Sequence, residues 1–226
     1  FLFGLPVLLT GVGGRVMSKM DTLVLTYFRT FEEVGIYNAL MPSAMIFLYF
    51  GMAISNVFFP IVSDWWENRD KKRLQEILRF VNQYIFVIMV PAVLLAGLFS
   101  EELLRLFFGN EFSGGALALK ILLAGVFFYI VAMINNTIIS AIGKPKEVTK
   151  IILFSSVINF SLNMLLIPKF GIEGAATATA GSFLIAYLWS VIKVRKFIVL
   201  KIPIKSWTKT SLIGIIFVLL IYLFKN

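Results

Sequence analysis

Long apolar runs broken by short charged segments set the rhythm of this chain. The runs fall at about 1–28, 35–62, 77–99, 116–142, 148–167, 175–198 and 212–223. Most approach or exceed the roughly 20 residues a helix needs to cross about 30 Å of hydrocarbon. The pattern predicts an all-α integral membrane protein, a bundle of about seven transmembrane helices. Two breaks carry structure of their own. The string SDWWENRDKKR between the second and third runs reads as a polar, helical link whose Trp65 and Trp66 suit a membrane–water interface. After the third run, SEELLRLFFGNEFSGG reads as a short interfacial helix ending at Gly109. Pro6, Pro42 and Pro91 fall inside predicted spans, where a missing N–H and a ring clash bend a helix; either ordinary kinking or hinges follow from that. The seventh run is the least regular, with Lys205 and Lys209 before it and Lys225 after it.

Charge tests the segmentation. Alternate breaks hold Arg69, Lys71, Lys72 and Arg73, then Lys144, Lys146 and Lys150, then Lys193, Arg195, Lys196, Lys201, Lys205 and Lys209. The intervening breaks hold only Arg29, Arg105, Lys169 and Lys225. Cytoplasmic loops are enriched in Lys and Arg, so the bias predicts a cytoplasmic start and an extracytoplasmic end. The formal charge of +9 thus encodes topology rather than a nucleic-acid surface. Composition agrees: 59% of residues are hydrophobic and 15% charged, against about 45–50% and about 25% in soluble domains. Mean hydropathy is +0.92. Cysteine and histidine are both absent, which excludes disulfides, thiolate nucleophiles and imidazole bases; no cofactor and no metal site is expected. The chain opens at Phe1 inside an apolar run and reads as a fragment of a longer protein.

Polar groups inside apolar runs are the candidate chemistry. A charge at a helix centre costs roughly 2.5–3.5 kcal/mol on insertion scales, yet the first run carries Arg15, Lys19 and Asp21. At helical spacing Gly11, Arg15, Ser18, Lys19, Thr22 and Thr26 form one stripe. The stripe reads as a cationic cavity lining, with snorkelling or interhelical ion pairing as the alternative. Asp21 lies well around the helix from Lys19 and reads as a structural ion pair with another helix. Ser155, Ser156, Asn159 and Asn163 share a face of the fifth run, and Tyr129, Asn136 and Ser140 a face of the fourth. Both faces fit either a ligand or interhelical hydrogen bonds. Lys120 reads as a snorkelling residue. In GIEGAATATAGS, Gly174, Thr177, Ala178 and Gly181 supply small residues for close helix approach. Asp64, Glu67 and Asp70 read as a solvated, charged helix face rather than a carboxylate site.

Several strings then occur together in a telling order: Leu5-Pro6, Asp21 with VLTYF, EEVGIYNA from Glu32 to Ala39, FFPIVSDW around Pro60, LLRLFFGNEF ending at Phe112, AIGKP from Ala141 to Pro145, and NFSLNMLLIPKFGIEGAATATAGS from Asn159 to Ser182. With these the chain resembles the polysaccharide-exporter branch of the multidrug/oligosaccharidyl-lipid/polysaccharide flippase superfamily, in its C-terminal half. The resemblance implies an inverted-V transporter of two six-helix lobes. Residues 1–198 would be the second lobe, 199–226 a cytoplasmic loop plus one extra helix, and the N-terminal lobe would be missing from this chain. It further implies a non-enzymatic, multi-pass protein of a prokaryotic plasma membrane. Its partners would be the bilayer, the missing lobe and a lipid-linked oligosaccharide. The function implied is flipping of polyprenyl-pyrophosphate-linked oligosaccharide, such as O-antigen or exopolysaccharide precursors, to the outer leaflet by alternating access, for cell-surface polysaccharide biosynthesis. Arg15 and Lys19, with Ser18 and Thr22 beside them, would meet the diphosphate; Asn136, Ser156, Asn159 and Asn163 would meet the sugars. The competing functions are a cation-coupled multidrug antiporter of the same superfamily and a membrane-embedded glycosyltransferase or polymerase.

Overall fold

The computed structural model describes residues 19–198, together with Thr208 and Gly214. Much of the first run, including Arg15, Ser18 and Pro6, and nearly all of the seventh run lie outside the described residues. Within them the order is α1 (Met20–Phe28), α2 (Phe31–Glu67), α3 (Lys71–Leu98), α4 (Ser100–Phe108), a 3-10 turn (Asn110–Gly115), α5 (Ala116–Ala141) and α6 (Pro145–Phe197). Helices α2, α3, α5 with its preceding turn, and α6 are each long and apolar enough to cross a membrane.

Local chemistry sets the boundaries. Thr30 caps α2, its Oγ1 accepting the Glu33 N–H at 3.3 Å, which satisfies one of the helix's orphan donors. Asp70 does the same for α3 through the Arg73 N–H at 3.1 Å. The polar link is therefore helical up to Glu67, broken by a tight turn, and helical again from Lys71. Helix α4 ends at Gly109, where φ is 108°. Helices α2 and α3 run on through Pro42, Pro60 and Pro91.

Helix α6 has 53 residues, about 80 Å at the α-helical rise, more than twice the hydrocarbon thickness. Gly171 breaks it, with φ 55° and ψ −129°. The two arms fold back on each other. Asn159 bonds Thr179, Phe154 packs edge-on against Trp189, and Glu147 pairs with Lys193. As one number of each pair rises the other falls, which is the register of an antiparallel hairpin. The arms supply the predicted fifth and sixth spans. At the hairpin tip Gly171 lies against the half-buried Arg29–Glu33 ion pair, which has a 3.0 Å contact. A Cβ there would collide with both side chains, in a backbone region open essentially to glycine alone. Gly171→Ala is expected to cost about 1–3 kcal/mol, read as a lower denaturation midpoint in detergent. Gly35→Ala, where an added Cβ meets nothing within 4 Å, serves as the neutral comparison.

Helix α5 is the central post. Leu122, Leu123, Val126, Ile130, Ile134 and Ile138 are almost fully buried against α6, α2 and α3. Helix α3 buries one stripe, Leu74, Leu78, Val81, Ile85 and Met89, and leaves Phe80, Tyr84, Val87 and Ile88 exposed on its outer side, as a helix between protein and lipid must. The alternation of helix directions gathers Arg69, Lys71, Lys72, Arg73, Lys144, Lys146, Lys150, Lys193, Arg195 and Lys196 at one end. Arg29, Arg105 and Lys169 sit at the other. The charge asymmetry predicted from sequence is thus carried by the fold.

Candidate functional site

Helix α1 turns Asp21, Val24 and Leu25 inward, one face at i, i+3 and i+4 spacing. Asp21 is 6% exposed. Tyr37 from α2 donates its hydroxyl to Asp21 Oδ2 at 2.9 Å. Thr179 from the second arm of α6 donates to the same oxygen at 2.7 Å. Asn163 from the first arm donates its amide to Oδ1. That amide also reaches Asn159 Oδ1 at 3.1 Å, and Asn159 in turn donates to Thr179 Oγ1 at 3.3 Å. One carboxyl group therefore ties four helical segments together. Among the described residues its partners are neutral donors, two hydroxyls and an amide from three other segments.

Beside this knot lies a cavity of about 370 Å³. Asn136, Ser155, Ser156, Asn159, Thr179 and Ser182 give it a polar wall; Met41, Met45, Leu48, Leu122 and Val126 give it an apolar one. Tyr129 stacks on Phe183 at its edge, ring centroids 4.3 Å apart. Asn136 Oδ1 and Ser155 Oγ line it without a hydrogen-bond partner in the protein. Buried polar atoms of that kind cost free energy unless something satisfies them. Such a hollow suits a ligand with both hydroxyl and apolar surface.

Asn136, Ser156 and Asn159 all line this one cavity. Asn163 is fully buried behind the wall as a partner of Asp21. Thr22 faces α2, its hydroxyl on Asn38 Oδ1 at 3.2 Å. Lys19 is exposed at the start of α1 and outside the cavity wall. Arg15 and Ser18 lie outside the described residues. Asp64 and Asp70 have local partners, Asn68 at 3.1 Å and Arg73 at 3.3 Å. Sequence reasoning missed Tyr37 and Thr179, and also Asn135, whose amide bonds Ser190 at 3.0 Å between α5 and α6. Thr179 and Ser182, three apart on a buried face, were the available signal.

The lobe is helical, with helices long and apolar enough to cross a membrane, and carries a cavity, half polar and half apolar, beside a buried carboxyl group. Residues 7–226 match the family described as lipid II flippase MurJ, and the chain belongs to that family. It is 32% identical over 216 residues to an uncharacterized membrane protein of Methanocaldococcus jannaschii, covering 95% of this chain and 43% of that one. It is 28% identical over 195 residues to the capsular polysaccharide biosynthesis protein CapF of Staphylococcus aureus, covering 84% and 48%. Its fold matches a lipid II flippase MurJ in an inward closed conformation with TM-score 0.83 at 20% identity, over 98% of this chain and 47% of that one. The chain spans about half the length of the relatives it matches. It is a multi-pass membrane protein of a flippase family, and flippases are transporters.

Proposed function

We propose that the protein to which this chain belongs flips polyprenyl-pyrophosphate-linked oligosaccharide from the cytoplasmic to the outer leaflet, with this chain as the C-terminal lobe, residues 1–198, of a two-lobe alternating-access transporter. Residues 199–226 would add a cytoplasmic loop and one further helix. The observation that carries the reading is the half-open cavity of the lobe, with hydroxyl and amide groups on one wall and methionine and leucine on the other. A sugar-bearing lipid headgroup presents that mixture, and it cannot cross hydrocarbon without polar partners. Asn136, Ser156 and Asn159 would meet sugar hydroxyls, with Asn163 holding the Asp21 knot behind them. Arg15 and Lys19, with Ser18 and Thr22, would present positive charge to the diphosphate between the lobes. The end rich in Lys and Arg would face the cytoplasm of a prokaryotic cell, and so would the visible N-terminus.

The test is flipping of a fluorescent lipid-linked oligosaccharide by the full-length protein in liposomes. Arg15→Ala with Lys19→Ala is expected to reduce the rate by at least about tenfold, the equivalent of about 1.4 kcal/mol. An unchanged rate would remove both cations from the mechanism.

A cation-coupled antiporter of the same superfamily is favoured by one observation: the buried Asp21 carboxyl, with neutral partners, faces the cavity. Drug efflux that disappears in Asp21→Asn, with no transport of the lipid-linked sugar, would select that reading instead.

A further inference from the structure

The α2–α3 turn, at the basic end of the bundle and away from the Asp21 cavity, encloses a second cleft of about 340 Å³. Its walls are Trp65, Trp66, Arg69, Lys71 and Leu74. Leu74 is fully buried and forms the floor, Trp66 packs on the hydrophobic core, and Arg69 and Lys71 are exposed at the mouth. The turn is tightly fixed. The Asp70 N–H donates to Trp65 O at 2.9 Å and the Arg69 N–H to Trp66 O at 3.2 Å. Arg69 itself sits at φ 56°, a left-handed conformation that non-glycine residues seldom adopt. Among the described residues neither Arg69 nor Lys71 forms an ion pair. The nearby carboxylates Asp64 and Asp70 are held by Asn68 and Arg73, and Glu67 is exposed at the end of α2.

Two cations without an ion pair over two tryptophans and an apolar floor, in the turn between two helices long enough to cross a membrane, match one kind of ligand. We infer that this cleft binds the phosphodiester headgroup of an anionic phospholipid in the leaflet on the basic side. Arg69 and Lys71 hold the phosphate, the indoles sit at the glycerol level, and Leu74 meets the first methylenes. The inference is independent of what the transporter carries.

Native mass spectrometry of the full-length protein, titrated with phosphatidylglycerol or phosphatidylcholine, reads the stepwise dissociation constants. The wild type is expected to prefer the first phosphatidylglycerol by about 25-fold, and Arg69→Gln or Lys71→Gln to cut that preference about fivefold each. Arg69→Gly should do the same. It relieves the left-handed turn while removing the charge, so its loss of preference cannot come from a disrupted fold. Arg195→Gln with Lys196→Gln, exposed at the same end but outside the cleft, should keep the full preference. No preference in the wild type, or an equal loss in the Arg195/Lys196 pair, would overturn the site. Displacement of the lipid by millimolar glycerol 3-phosphate would overturn the lipid assignment in favour of a soluble phosphate.

Discussion

Full-length protein carrying Asp21→Ala is expected to unfold at a markedly lower temperature in detergent and to lose flipping. The alanine removes the acceptor shared by Tyr37, Asn163 and Thr179 at once. Each donor is buried, and an orphaned buried donor costs about 1–3 kcal/mol. Rotation of the two hydroxyls toward other acceptors recovers part of this, so the net loss is set at about 3 kcal/mol or more. Asp21→Asn keeps the shape and one acceptor oxygen, but its amide then faces a donor; a loss of about 1–3 kcal/mol is expected. Asp64→Ala is the control. Asp64 is exposed and hydrogen-bonded only within its own turn, so its change should stay within about 0.5 kcal/mol. If Asp21→Ala denatures with the Asp64→Ala protein, the knot is not what joins α1 to the α6 hairpin. If Asp21→Asn folds normally and flips at the wild-type rate, the carboxyl has a structural role alone.

The helices and their alternation were legible because they rest on local rules. Apolar runs of the right length, the charged breaks between them and a glycine stop at Gly109 all act within a few residues. The partners of Asp21 obey no such rule. Asn163 and Thr179 lie 142 and 158 residues away in sequence, and helical periodicity says which residues share a face without saying which faces meet. Lys19, just before the first turn of α1, is exposed, and Asp21 within it is buried. What a helix wheel could not show is that neutral groups would surround the buried one. Tyr37 was hidden for a different reason. In an apolar run an aromatic ring reads as core, and its hydroxyl becomes visible as a donor only when a carboxyl sits 2.9 Å away. Thr179 was masked by the alanines and glycines around it, which read as a packing surface, and it serves both purposes.

That packing surface carries the other large effect. Gly125→Val is expected to separate α5 from the second arm of α6 and to destabilise the lobe at or beyond the upper end of the about 1–3 kcal/mol typical of overpacking. A Cβ at Gly125 would stand 2.5 Å from Ala180 Cα and 2.7 Å from its Cβ. No rotamer change relieves a collision with backbone, so the helices must move apart. Between apolar helices in lipid there is no hydrophobic gain to oppose the separation, because hydrocarbon solvates leucine as well as protein does. Close approach is therefore the main source of attraction here, and its loss spreads along the contact. Ala180 neighbours Thr179, so the shift also draws a donor away from Asp21 and opens the wall of the cavity. Thermal denaturation should show a large fall in midpoint together with weaker flipping. Gly97→Ala, in α3 with nothing within 4 Å of the added carbon, should leave both unchanged. Gly125→Val with wild-type stability would mean that the α5–α6 contact is looser than its geometry states, and that the Asp21 knot holds the lobe without it.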